Sequence, residues 1–135
     1  MWVFNEDGSV AAEPIAFSGV PAAARAVLTG KSAGGRIVHL FRLVQEGQTL
    51  FEVTFIRRSA RYVCTTDPTG KIVGEELPLS TLAPSLRAAI SARAAGRFLI
   101  RIEKTPGESG DDYDVYLRQN GKQEVVTFGL DGKEK

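Results

Sequence analysis

A repeat at a constant offset of 62 runs along this chain and restricts its fold more than any other feature of the sequence. Val20-Pro-Ala-Ala-Ala-Arg25-Ala26-Val-Leu28 is matched, at that offset, by Leu82-Ala-Pro-Ser-Leu-Arg87-Ala88-Ala-Ile90. Glu52-Val-Thr-Phe55 and Asp114-Val-Tyr-Leu117 share it, as do Gly70-Lys71 and Gly132-Lys133. The stretch between drifts: Gly35-Arg36-Ile37 best matches Gly96-Arg97-Phe98 at an offset of 61, and a longer loop at Thr105–Asp111 restores the register. A partial third copy stands at the front. Trp2-Val3-Phe4 matches Cys64-Thr65-Thr66 and Val126-Thr127-Phe128, and Gly8 matches Gly70 and Gly132. Self-similarity at a fixed period marks repeated supersecondary units. The expected division is an orphan hairpin over 1–14, a first unit over 15–76 and a second, truncated at its end, over 77–135.

Each unit opens on an amphipathic helix. Val20, Ala24, Val27 and Leu28 form one apolar face, and Leu82, Leu86, Ala89 and Ile90 repeat it. Pro21 suits a first helical turn, Ser80 or Thr81 a cap, Gly30 or Gly34 a left-handed stop of the first helix and Gly96 that of the second. Strands follow. Ile37, His39, Phe41 and Leu43 alternate with Val38, Leu40 and Val44, so that strand is expected to be covered on both sides. Phe51, Val53 and Phe55 oppose Glu52 and Thr54. In the second unit Phe98, Ile100 and Ile102 oppose Leu99, Arg101 and Glu103, and Tyr113, Val115 and Leu117 oppose Asp114, Tyr116 and Arg118. Asn120-Gly121 is a two-residue hairpin signal, and Asp67-Pro-Thr-Gly70 a turn. The expected fold is α+β: tandem helix-plus-antiparallel-meander repeats of αββββ type, with the helices packed on one face of the sheet.

The helix LAPSLRAAISAR from Leu82, followed by YDVYLRQNGKQEVVTFGLDGK from Tyr113, resembles the PepSY-like secreted proteins, whose tandem repeats have a fold similar to the beta-lactamase inhibitory protein. The resemblance covers about Ile15 to Lys133 and the leading hairpin. It rests on the helix, the Tyr113–Leu117 strand, the Asn-Gly hairpin and the Phe128–Lys133 turn. In the first unit the pattern is degraded, with Thr66 in place of the Phe and Arg58-Ser59 in place of Asn-Gly. The resemblance implies a periplasmic or secreted, non-catalytic module with binding or inhibitory roles, and carries over no catalytic residue. The leading segment MWVFNEDGSV has no basic region followed by an apolar stretch, so it is not a signal peptide, and the partial copy at the front points to a trimmed chain.

The residues offer little for catalysis. With one histidine and one cysteine among 135 residues, no acid–base, nucleophile or multi-cysteine zinc constellation can be assembled. No enzyme activity, cofactor or metal is therefore expected. Gly30-Lys31-Ser32 looks like the end of a phosphate loop but follows a helix instead of preceding one. His39 falls on the inferred core face and Cys64 on a core position. Glu108, Asp111, Asp112 and Asp114 cluster about a loop without EF-hand spacing, which leaves calcium open and a solvated acidic loop the simpler reading. No apolar run is long enough to span a membrane.

The net charge of +1 argues against nucleic acid as a partner, but its distribution is uneven: residues 20–101 carry 12 Lys/Arg and 5 Asp/Glu, whereas 1–19 and 102–135 each net −3. Arginines and aromatics are the usual interface anchors. The expected partner-binding residues are accordingly Arg57, Arg58, Arg61, Tyr62, Tyr116 and Arg118. The expected function is an extracytoplasmic binding or scaffold module that presents a sheet face and hairpin tips to a protein or peptide. Self-association by strand exchange into a homo-oligomer, and anion or nucleic-acid binding through the basic hairpin, are the alternatives.

Overall fold

A computed structural model describes residues 3–4, 10–108 and 110–135, so Trp2 and Gly8 of the expected leading hairpin lie outside the described residues. The elements are β1 (Val3–Phe4), β2 (Val10–Pro14), α1 (Ala22–Ser32), β3 (Arg36–Gln45), β4 (Gln48–Arg57), β5 (Ala60–Thr66), β6 (Ile72–Glu76), α2 (Pro84–Ala94), β7 (Phe98–Thr105), β8 (Asp112–Gln119) and β9 (Lys122–Phe128). The strands lie in chain order in one nine-stranded sheet among the described residues.

This corrects the expected tandem αββββ architecture. The strand before each helix is hydrogen-bonded to the strand after it: β2 pairs with β3 and β6 with β7, both antiparallel. Each helix is thus an excursion inserted into one antiparallel meander and does not begin a separate helix-led sheet. The fold is α+β, one antiparallel sheet with two helices. Tight turns drive the meander. Glu46-Gly47, Arg58-Ser59 and Asn120-Gly121 each hold positive φ at both positions, as two-residue hairpins of the right twist demand. The caps also differ from expectation. The residue capping α2 is Ala83, which supplies no side-chain bond, while the Thr81 hydroxyl donates to Pro78 O in a preceding 3₁₀ turn.

Two compact units divide the chain, residues 1–73 and 74–135. In the first, Val20, Ala24 and Leu28 of α1 pack on Leu40, Phe51, Val53, Phe55 and Cys64. In the second, Leu82, Leu86 and Ile90 pack on Ile102, Tyr113, Val115, Leu117, Val126 and Phe128. Every member of the first core has a counterpart in the second at the repeat offset, and Thr66 has Phe128. The turn after the last core strand of each unit is seated on the first turn of its helix. A Cβ on Gly70 would meet Ala23 O at 2.8 Å, and one on Gly132 would meet Ser85 O at 3.0 Å, so only glycine lets the two backbones approach.

The expected drift to an offset of 61 does not occur. Gly34 and Gly96, both at positive φ and in register with the repeat, end the two helices, and the register of each following strand shifts at matching places: between Ile37 and His39, and between Leu99 and Arg101. A bulge places one extra residue in a strand and reverses its alternation beyond that point. The expected two-face pattern of β3 and β7 is therefore corrected. Leu40 and Ile102 are the buried core residues, Leu99 packs on the second core, and His39 leaves the core face and is exposed.

Candidate functional site

The expected site residues separate by role. Arg57, at the end of β4, is engaged inside its own unit. Its guanidinium Nη2 donates to Lys31 O at 2.5 Å and Ala33 O at 3.0 Å, two carbonyls at the end of α1. Its guanidinium carbon also lies 5.1 Å from the Phe55 ring centroid and 5.4 Å from that of Tyr62. These two rings stack almost parallel, 5.1 Å apart. A cation at a helix C-terminus, flanked by two π-faces, is a structural staple. Arg57 and Tyr62 therefore tie α1 to the β4–β5 hairpin. Arg58 is exposed at the turn with φ of 51°, and Arg61 is exposed on β5.

The place in the second unit that corresponds to this staple is occupied differently. Leu117, Gln119 and Glu124 are the repeat counterparts of Phe55, Arg57 and Tyr62. There they line a recess of about 270 Å³ together with Arg97, Asn120 and Lys122. Arg97 donates to Arg93 O, and Glu124 bridges Arg93 at 3.2 Å.

Tyr116 and Arg118 lie on the face of the second unit turned away from α2. Tyr113, Val115 and Leu117 of the same strand point into the core, so Tyr116 and Arg118 point the other way. Two residues of β7 share that face, Arg101 by plain alternation from Ile102 and Phe98 because of the bulge. Arg101 lies opposite Tyr116, and Phe98 opposite Arg118. Val125 of β9 lies opposite Tyr116 from the other side. Phe98 is 66% exposed and Val125 51%. The Arg101 guanidinium carbon sits 3.8 Å from the Tyr116 ring centroid, and its Nε donates to Glu103 at 2.7 Å. The Tyr116 hydroxyl donates to the other Glu103 oxygen at 3.4 Å. Partial burial, together with the Glu103 charge, pushes the Tyr116 hydroxyl above the ordinary tyrosine range, and the Glu103 hydrogen bond raises Arg101 in turn. The result is a fixed aromatic–cation pair flanked by exposed apolar side chains.

The helix-free face of the first unit is more apolar. His39 stacks on Phe41 with centroids 5.2 Å apart, and Ile56 and Val63 lie half-buried nearby, while the Thr65 hydroxyl donates to Glu52. Alternation in the sequence does not mark Phe98, Val125 and Phe41 as surface residues. Phe98 falls on the core face by alternation, because nothing in the letters marks the bulge at Ile100. Arg101 and Glu103 carried a readable signal, a cation and an anion two apart on a strand that faces Tyr116.

The acidic cluster is dispersed among partners. Asp112 takes a hydrogen bond from Lys135, Asp111 pairs with Lys104 at 3.5 Å and Asp114 accepts from Thr127 at 2.7 Å. No group of three metal-ligating side chains occurs among the described residues. Cys64 is buried. No helix among the described residues is long and apolar enough to cross a membrane.

The sequence matches no protein-family model and no curated relative. Its fold is similar to those of solved Bacteroides proteins. A DUF2874-family protein from Bacteroides ovatus aligns with a TM-score of 0.54 at 11% identity, over 85% of this chain and 84% of its own. A candidate periplasmic protein from Bacteroides eggerthii gives 0.54 at 10% identity over 85% of each chain. A candidate calcium-regulated periplasmic protein from Bacteroides thetaiotaomicron gives 0.50 at 13% identity, over 92% of this chain and 94% of its own. At such identities the likeness establishes a shared fold.

Proposed function

We propose that this chain is a non-catalytic extracytoplasmic binding module, of the PepSY-like kind its sequence resembles, and that it presents the helix-free face of its sheet to a protein or peptide partner. The observation that carries the reading is the composition of that face in the second unit, where Phe98 and Val125 are solvent-exposed beside the Arg101–Tyr116 pair. Exposed apolar side chains ringed by polar groups mark interaction surfaces, and aromatics with arginines supply most of their binding energy. The periplasmic assignments of fold neighbours support an extracytoplasmic location. In the basic hairpin, one arginine has a structural role. Arg57 is engaged there by two carbonyls and two rings, and Arg58 and Arg61 are the exposed cations of that hairpin.

Site-specific photo-cross-linking in cells that make the full-length protein tests this reading. A photoreactive residue at Tyr116 should yield a discrete adduct, and one at Ser91, exposed on α2, should not. Bare monomer from both positions would remove the sheet face from the account, and a cytoplasmic fraction holding all of the protein would remove the location.

A further inference from the structure

We infer that the helix-free face of the second unit is shaped for an acidic protein segment, one that places a carboxylate next to an aliphatic or aromatic side chain. The inference rests on the binding-module reading and specifies the partner's chemistry.

Every charged group that β7, β8 and β9 place on this face, except one, is already matched. Glu103 is held by Arg101 and by the Tyr116 hydroxyl, Asp112 by Lys135, and Asp114 by the Thr127 hydroxyl. Arg101 is neutralised by Glu103 and lies against Tyr116. Arg118 differs. It is exposed, and among the described residues it makes no ion pair, although Arg93, Arg97, Arg101, Lys104 and Lys135 of the same unit all do. It projects directly opposite Phe98, the most exposed large apolar side chain among the described residues. Val125, in turn, flanks Tyr116.

A free guanidinium beside an exposed ring and an aliphatic group selects by charge and by surface at once. A partner carboxylate would take the guanidinium fork in a bidentate pair, and the adjoining apolar group would cover Phe98 and Val125. A basic segment would be repelled by Arg118 and find no free acid on these strands. A phosphodiester strand would need a track of free cations, and this face supplies only one. The Arg101–Tyr116–Glu103 cluster is fixed before binding, so little side-chain freedom is lost on contact.

The test is a pair of isotope-edited NMR titrations with two blocked tetrapeptides, acetyl-Asp-Leu-Phe-Glu-amide and acetyl-Lys-Leu-Phe-Lys-amide. The acidic peptide should give saturable shifts centred on the amides of Phe98, Tyr116, Arg118 and Val125, and the basic peptide should bind about tenfold more weakly or worse. Arg118→Glu should reverse that order, and Arg118→Gln should weaken the acidic peptide without rescuing the basic one. Phe98→Ser, checked for an unchanged pattern of dispersed resonances, should weaken both. Absence of saturable shifts at millimolar peptide overturns the inference, as does equal binding of the two peptides or a preference that survives Arg118→Glu. A solution mass that rises with concentration and falls back with Phe98→Ser would make a second copy the occupant and also overturn it. A cross-linked adduct at Tyr116 that persists in Arg118→Glu would leave the binding-module reading standing and remove this one alone.

Discussion

Arg58 and Ser59 hold φ of 51° and 64° at a turn whose repeat counterparts are Asn120 and Gly121. A left-handed conformation costs an ordinary L-residue roughly 1–2 kcal/mol, and asparagine and glycine tolerate it best. The double substitution Arg58→Asn/Ser59→Gly is therefore expected to stabilise the protein by about 1 kcal/mol, read as a higher urea midpoint with an unchanged slope. A lower midpoint would mean that the Arg58 side chain contributes more than its strain costs. Asp67 supplies a second prediction. Its Oδ1 accepts from the Thr69 hydroxyl at 2.6 Å and from the amides of Thr69 and Lys71. The Thr69 hydroxyl bond, with smaller help from these amides, holds the carboxyl below the ordinary aspartate range. A depressed folded-state value means that the stabilisation is present above the unfolded-state value and lost as pH falls through the folded one. Thr69→Val should move the Asp67 NMR titration midpoint upward, and an unmoved midpoint would assign the effect to the backbone amides.

The bulged strands show where local letters stop deciding structure. Phe98, Ile100 and Ile102 alternate perfectly and imply one buried face, but the register shift at Ile100 turns Phe98 outward while Ile102 stays buried. Ile100 and its counterpart Val38 are ordinary strand formers, so no glycine or proline marks the shift. Two alanine substitutions separate the cases. Ile102→Ala is expected to cost about 2–5 kcal/mol, as a fully buried aliphatic does. Phe98→Ala should stay within about 0.5 kcal/mol, as an exposed position does. Comparable losses in thermal unfolding would return Phe98 to the core. The staple at α1 escaped sequence reading for a different reason. Arg57 meets carbonyls from the far end of another element, and a basic run beside a hairpin looks the same whether its first arginine turns inward or outward. Arg57→Gln should loosen the end of α1, measured as faster amide exchange over the last turn, with a stability loss of about 1 kcal/mol. Tyr116 and Arg118, by contrast, stood out in the sequence as polar members of an alternating strand, and the alternation held there because β8 carries no bulge.

The period of 62 was plain in the sequence because each core position needs an apolar side chain of limited size, and matched positions kept that character. The letters left open how the strands join, since pairing of β2 with β3 and β6 with β7 links segments separated by a whole helix. The two cores are matched in position but unequal in content. Among the buried members, Val20, Ala24, Cys64 and Thr66 of the first unit stand against the larger Leu82, Leu86, Val126 and Phe128 of the second, and Phe55 against Leu117 runs the other way; at the half-buried positions Phe17, Tyr62 and Ile72 outweigh Leu79, Glu124 and Glu134. Thr66 is fully buried, and its hydroxyl has no hydrogen-bond partner among the described residues. Over the buried members alone, the larger apolar side chains and the absence of an unpartnered hydroxyl favour the second unit. Native-state hydrogen exchange should find the central amides of β4 and β5 opening at a lower free energy than those of β8 and β9. Thr66→Val, which removes the unpartnered hydroxyl and keeps the shape, should narrow that gap by about 1 kcal/mol through the first unit alone. The direction matters for function. The unit with the larger fully buried side chains is also the one whose helix-free face carries Phe98, Tyr116 and Arg118, and a rigid support is what a preorganised contact surface requires. Equal opening energies would leave the two cores equivalent and remove rigidity as a reason for the contact surface to lie on the second unit.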